Sequence, residues 1–182
     1  MKKVDLIVLL SGGLDSAVLL HMATWMGYSP FCVLIDYGQS HVRELQSARA
    51  LCESLNVPWR MVEIGGLCVS SKLTNGEGGK YPGVSEWHVP SRNLMFLGIA
   101  ASVAEDMGVS LIWYGANYED RERLFPDCYQ EWVFHANKLL EINGSMGVKV
   151  EAPLLGMQKE TIRRMSELYN ITDEQIHSGY ER

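Results

Sequence analysis

Two apolar rhythms alternate along this chain, and that alternation limits the possible folds more than any other feature. Short apolar runs at Val4 to Leu10, Phe31 to Asp36, Trp59 to Ile64, Leu111 to Tyr114 and Val148 to Ala152 read as strands. Between them lie segments of helical period. Leu14 to Met26 puts Val18, Leu19, Met22 and Met26 on one stripe and stops at Gly27, while His41 to Leu55 turns Leu45, Ala48, Leu51, Cys52 and Leu55 toward a sheet. Ser91 to Met107 ends at Gly108, Asp127 can cap a helix through about Ile142, and Lys159 to Tyr169 is a terminal amphipathic helix. The expectation is an α/β fold: an open, mostly parallel five-stranded sheet with helices on both faces. No break in composition divides residues 1–182, which read as a single domain.

Two stretches stand outside this scheme. Residues 65–90 are rich in Gly, Ser and Lys, carry the turn signals Asn75-Gly76 and Pro82-Gly83, and are too long for an ordinary connection, so they read as a lid. The segment from Tyr114 to Pro126 reads as irregular.

Charge and cysteine usage narrow the function classes. A net charge of -6, from 22 acidic against 16 basic side chains, gives little grip on a phosphate backbone, so small molecules are expected as partners and nucleic acid is not. No apolar stretch approaches the roughly 20 residues that span a bilayer, and Asp5 interrupts the first apolar run, so neither a membrane segment nor a signal peptide is expected and the reading is cytoplasmic. Cys32, Cys52, Cys68 and Cys128 are scattered without a C-x-x-C pair and read as buried free thiols rather than metal ligands.

The string Ser11-Gly12-Gly13-Leu14-Asp15-Ser16 falls between the first strand and the first helix. Backbone N–H groups and the positive end of the helix converge there on any anion, which suits a phosphate. Glycines allow close approach, Ser11 and Ser16 can donate hydroxyl hydrogen bonds, and Asp15 can hold Mg²⁺ or cap the helix. The loop resembles that of the PP-loop, or N-type, ATP pyrophosphatases, which hold the pyrophosphate end of ATP while a substrate oxygen attacks the α-phosphate. The Gly-Lys-Ser or Gly-Lys-Thr ending of a Walker loop is absent.

Further strings narrow the resemblance: Asp36-Tyr37-Gly38-Gln39, Val89-Pro90-Ser91-Arg92-Asn93, Pro126-Asp127-Cys128, and Ala152-Pro153-Leu154 followed by Lys159. In order, from residue 4 to about residue 170, they are similar to the 7-cyano-7-deazaguanine synthases. The resemblance implies the adenine nucleotide alpha hydrolase-like fold of PP-loop proteins. It also implies ATP with Mg²⁺, 7-carboxy-7-deazaguanine and ammonia as reactants, adenylated intermediates, release of AMP and pyrophosphate at each of two activations, and a homodimer. The residues it implies for nucleotide binding are Leu10, Ser11, Gly12, Gly13, Leu14, Asp15, Ser16, Asp36, Tyr37, Gln39 and Gly115. Arg92, Asn93, Asn117 and Asp127 are implied for the substrate, and Asp15, Arg92 and Lys159 for catalysis.

Each candidate also has a plain structural reading. Arg92 can grip a phosphate or carboxylate, or form a surface ion pair. Asn93 can anchor its loop. Lys159 can neutralise charge on the α-phosphate or sit in solvent. Asp36 and Gln39 follow a strand at the carboxyl edge where ligands gather. Asp127 can read two N–H donors of a guanine-like edge or cap its helix. Nothing pairs His41 or His88 with an orienting carboxylate, and Trp87 can stack on a heterocycle or fill core.

Two departures from the resemblance stand out. The family's chains continue into a cysteine-rich zinc-binding tail, whereas Gly179 falls where the first of those cysteines would stand, so zinc is not expected. Ser91 occupies a position where the family more often has glycine. The alternatives are therefore an enzyme that stops at the amide, an adenylating enzyme with another acceptor, or a catalytically silent ATP-binding partner protein. Sulfur transfer to tRNA would call for reactive cysteines and an RNA-binding extension, and neither is visible.

Overall fold

The computed structural model describes residues 3–40, 42–65, 71–74, 89, 91–122, 125–145, 147–172 and 175–176. Five strands, β1 (Leu6–Leu9), β2 (Pro30–Asp36), β3 (Trp59–Glu63), β4 (Leu111–Trp113) and β5 (Lys149–Glu151), form one sheet in the order β3-β2-β1-β4-β5. Every pairing is parallel, with Ile7 aligned to Phe31 on one side and to Ile112 on the other. The chain builds outward from β1 through β2 to β3, then crosses back to place β4 on the far side of β1. This reversal makes the carboxyl ends of β1 and β4 a topological switch point, the crevice where open α/β sheets bind ligands.

The helices are α1 (Leu14–Trp25), α2 (Val42–Ser54), α3 (Arg92–Met107), α4 (Tyr118–Glu122), α5 (Gln130–Ile142) and α6 (Lys159–Leu168). Strand side chains alternate between two cores, as a period of two requires. Leu6, Val8, Cys32 and Leu34 pack with residues of α1, α2 and α6, while Ile7, Val33, Ile112 and Val150 pack with residues of α3 and α5. Helix α1 buries Ser16, Ala17, Val18, Leu19, Leu20 and Ala23. It also packs against α6 as well as the sheet, so its apolar surface is broader than one stripe.

Helices α1 and α3 stop for the same physical reason. Gly27 and Gly108 take the left-handed conformation at φ 90° and 66°, and the next residue, Tyr28 or Val109, donates its N–H to the carbonyl of Ala23 or Ala104. The outer edge of β5 is closed by a side chain: Val150 N–H donates to Asn137 Oδ1 at 2.8 Å and Asn137 Nδ2 donates to Val150 O at 2.9 Å.

Several expectations need correction. Met26 lies beyond the end of α1 and is 54% exposed, so the stripe ends at Met22. Asp127 caps no helix: Pro126–Cys128 is a separate 3₁₀ turn, α5 starts at Gln130 with Tyr129 before it, and the Asp127 carboxylate is bonded to Asn93. The segment expected to be irregular contains α4. Ser91 has φ 55°, the left-handed region that favours glycine. Cys32, Cys52 and Cys128 are free and buried, as expected. The turn signals of the long loop, Trp87, His88, His41, Cys68 and Gly179 lie outside the described residues.

His21 marks the contact of α1 with the end of α6. Its ring stacks on Tyr169 at 5.7 Å between centroids and 14° between planes, and its buried Nε2 has no hydrogen-bond partner among the described residues. Burial lowers its pKa from the ordinary 6.5. Just below that pH the unfolded chain therefore binds a proton that the folded chain does not, and stability rises with pH across that window. Melting temperatures measured across that window should fall on acidification. His21→Phe, which keeps the ring stack, should flatten that part of the profile, and an unchanged slope would contradict the assignment.

Candidate active site

The loop after β1 is bonded mainly to itself. Ser16 Oγ accepts the N–H groups of Ser11 and Gly12 at 3.3 and 3.2 Å and donates to the Gly13 carbonyl at 2.9 Å, while Ser11 Oγ lies 3.1 Å away and accepts Gly13 N–H at 3.3 Å. Ser16 is thus a buried pin of the turn, its hydroxyl bonded to the loop's own backbone. Gly12, at φ 89°, lies so close to α2 that a Cβ there would fall on the Glu44 carbonyl. Gly13 precedes α1 in extended conformation with no side-chain cap, so among the described residues the first N–H groups of the helix have neither an intrahelical nor a side-chain acceptor. That end of α1 attracts anions.

Asp15 sits in the first turn of α1 and meets the far end of the chain. Lys159 Nζ, at the start of α6, donates to Asp15 Oδ2 at 2.5 Å, and Asn117 Nδ2 donates to the same oxygen at 3.2 Å. Asp15 Oδ1 is buried with no hydrogen-bond partner among the described residues. Burial raises the Asp15 pKa; the charge and hydrogen bond of Lys159 oppose that rise, and the neighbouring Asp120 carboxylate adds to it. Lys159 is also held by its backbone, whose N–H donates to Glu119 Oε1 at 3.0 Å. Gly115, at the exit of β4, packs so closely against Asp15 and Ser16 that a Cβ there would lie 3.4 Å from both.

Both structures, loop and ion pair, open on one cavity of about 620 Å³ at the switch point, within the usual range for small-molecule sites. Leu10, Ser11, Gly13, Leu14, Asp15, Ser16, Gly115 and Lys159 line it. Across from the loop the wall is Tyr37, Arg92, Asn93, Phe96, Tyr114, Phe125, Asp127 and Cys128. Arg92 Nη1 reaches the Tyr37 hydroxyl at 3.5 Å with its guanidinium 5.9 Å from that ring's centroid, and Tyr37 packs on Phe96. Asn93 Nδ2 donates to Asp127 Oδ2 at 2.5 Å, and the Tyr114 hydroxyl donates to the Asp127 carbonyl at 2.6 Å. Burial and then the charge of Asp127 push the Cys128 thiol well up, so it stays protonated and is a poor nucleophile at neutral pH.

Three sequence-predicted residues do not line this cavity. Asp36 turns its carboxylate back onto Gly38 N–H at 3.0 Å, closing its own turn, and Gly12 faces α2. Asn117 is fully buried behind Asp15. Gln39 lines the wall, but its Oε1 accepts Tyr37 N–H at 2.9 Å and its Nε2 points to the Ile35 carbonyl at 3.4 Å, so its amide holds the turn. Sequence reading missed Glu119, Asp120, Phe96, Phe125 and Tyr114. The first two carried a signal, an Asn followed by acids in the manner of a helix start.

The family model described as queuosine biosynthesis protein QueC matches residues 5–182. The chain belongs to that family. Among curated proteins, this QueC family chain is 35% identical over 166 residues to a 7-cyano-7-deazaguanine synthase of Caldicellulosiruptor bescii, covering 87% of the chain and 75% of the relative. A synthase of the same name from Psychromonas ingrahamii is 32% identical over 165 residues, covering 86% and 74%. Among solved structures, the U34-tRNA thiolase NcsA of Methanococcus maripaludis, with its [4Fe-4S] cluster, aligns with all of this chain at a TM-score of 0.58 and 15% identity. NMN synthetase from Francisella tularensis aligns with 96% of it at 0.56 and 15%. This chain spans 62% and 65% of those two proteins, and the likeness is one of fold.

The close approach of Gly12 to α2 predicts a steric and conformational penalty for any side chain. Gly12→Ala should lower the unfolding free energy in urea by about 2 kcal/mol or more, combining left-handed strain with the clash. Wild-type stability in this variant would show that the loop has room to shift.

Proposed function

We propose that this protein converts 7-carboxy-7-deazaguanine and ammonia to 7-cyano-7-deazaguanine at the expense of ATP, within queuosine biosynthesis. The observation that carries the reading is the two-sided cavity. One side offers an uncapped helix start beside a lysine, suited to a polyphosphate. The other offers aromatic rings, an arginine and a fixed carboxylate, suited to a flat, acid-bearing heterocycle. The names of the family and its relatives favour the same conclusion.

In this mechanism the start of α1 and the Ser11 to Ser16 loop hold the pyrophosphate end of ATP. The substrate carboxylate attacks the α-phosphate, forming a carbon–oxygen–phosphorus bridge as pyrophosphate leaves. Lys159 offsets the charge that builds on the α-phosphate. Arg92 holds the substrate carboxylate, and Asp127, oriented by Asn93, accepts the N–H groups of the guanine-like edge. Ammonia then attacks the activated carbonyl, giving amide, AMP and a proton. A second ATP adenylates the amide oxygen with release of pyrophosphate and one N–H proton, and AMP departs with that oxygen as the remaining N–H proton is lost and the nitrile forms. Activation is necessary because a carboxylate oxygen is a poor leaving group.

A Mg²⁺ ion fits the donor set. Asp15 Oδ1 is a buried carboxylate oxygen without a donor among the described residues. This matches the habit of Mg²⁺ of taking one or two carboxylates with the rest supplied by phosphates and water. When bound, it would neutralise phosphate charge. The protonated Cys128 gives no support to sulfur transfer, and the acidic balance favours small-molecule partners. No helix among the described residues is long and apolar enough to cross a membrane. A cytoplasmic homodimer is proposed on the family resemblance.

Mass spectrometry of products from Mg-ATP, ammonium and the acid, with AMP followed in parallel, tests the reading. Nitrile with two AMP is expected; amide with one AMP would assign a half-reaction, and no AMP would sink the proposal. Asp15→Asn and Lys159→Met should each lower AMP release by about a hundredfold or more while melting cooperatively. Full turnover in either would remove that residue from the mechanism.

A further inference from the structure

We propose that Asn117 is a positioning residue, whose carboxamide orients Asp15 from behind the cavity wall. The inference rests on the reading that Asp15 serves ATP cleavage.

Asn117 is 0% exposed and so contacts no ligand, yet every hydrogen-bonding group on its side chain is engaged. Its Nδ2 donates to two carboxylates, Asp15 Oδ2 at 3.2 Å and Asp120 Oδ2 at 2.7 Å. Its Oδ1 accepts Asp120 N–H at 3.0 Å, the bond by which the residue preceding α4 caps that helix. The cap fixes the rotamer of the amide, and the fixed amide becomes a rigid donor to Asp15.

Two consequences follow for the ion pair. Asp15 Oδ2 is pinned by both Asn117 and Lys159, while Oδ1 has no protein donor among the described residues. The two amide hydrogens also stand between like charges, which would otherwise repel at close range in a poorly solvated site. Helix α4 completes the arrangement from the other side, because Glu119 holds the backbone of Lys159. One short helix thus sets both members of the pair, and removing the amide donor should misplace Asp15 without disturbing α4.

The test compares kcat, KM for ATP and calorimetric ATP affinity in wild type, N117D, the N117D/D120A double variant and Asn117→Thr. Aspartate and threonine keep the acceptor that caps α4 but lose the bridging amide, and the double variant restores net charge without restoring the donor. Expected are a loss in kcat of about tenfold or more in all three, an ATP affinity within about threefold of wild type, and cooperative melts. N117D or Asn117→Thr retaining more than half of wild-type kcat would show a capping role only. Recovery in N117D/D120A would show that charge count, not the donor, matters. Either result overturns the inference while leaving the functional reading in place. No AMP from wild type overturns the reading and this inference together.

Discussion

The contact between Asp15 and Lys159 ties the first loop of the chain to its last helix, across 144 positions of sequence. Both side chains are mostly withdrawn from water, at 18% and 25% exposure, so neither charge is comfortable without the other. The pair draws α6 over α1, where Ile162 joins the core formed by Leu6, Val8 and the α1 and α2 side chains. It also sets a fixed cation beside an uncapped helix start. A weak surface ion pair would do none of this; its value here comes from partial burial and from the neighbours that hold each member in place.

Topology explains why these groups meet. Because the chain reverses at β1, the loops after β1 and β4 leave the sheet side by side, and Gly115 lets them touch. The β4 exit then supplies Asn117 and α4, and the β5 exit leads to Lys159. Three of the five strand exits thus bring the ion pair and its supports to one point. The opposite wall comes from Tyr37 after β2, the start of α3 and the 3₁₀ turn before α5. The fold separates the labour of the cavity: the ion pair and the helix start lie on one side, and aromatic surface with an arginine and a fixed carboxylate on the other.

Much of this was legible in the sequence, for reasons that also mark its limits. The five strands and five longer helices were readable because apolar runs of strand length alternate with longer segments of helical period. The Ser11 to Ser16 string was readable because strand, glycine turn and helix are contiguous. Side-chain direction was not. Asp36 and Gln39 fold back onto their own turn because Gly38 takes φ 82°, a backbone choice that composition does not reveal. Asp127 has the chemistry of a helix cap, but α5 starts only at Gln130 and the carboxylate is taken by Asn93 from 34 positions away. Asn117 looks like a ligand-binding residue until its complete burial is seen. Long-range pairing of this kind depends on the assembled sheet.

Under the proposed function, this cavity adenylates a carboxylic acid. Exchange of labelled pyrophosphate into ATP, with ammonia withheld, measures that step alone, because an adenylate formed and trapped in the site runs backward. If the cavity adenylates that acid, exchange depends on 7-carboxy-7-deazaguanine and on Mg²⁺. No exchange in the presence of the acid, or ATP cleavage to ADP and phosphate instead, would contradict it.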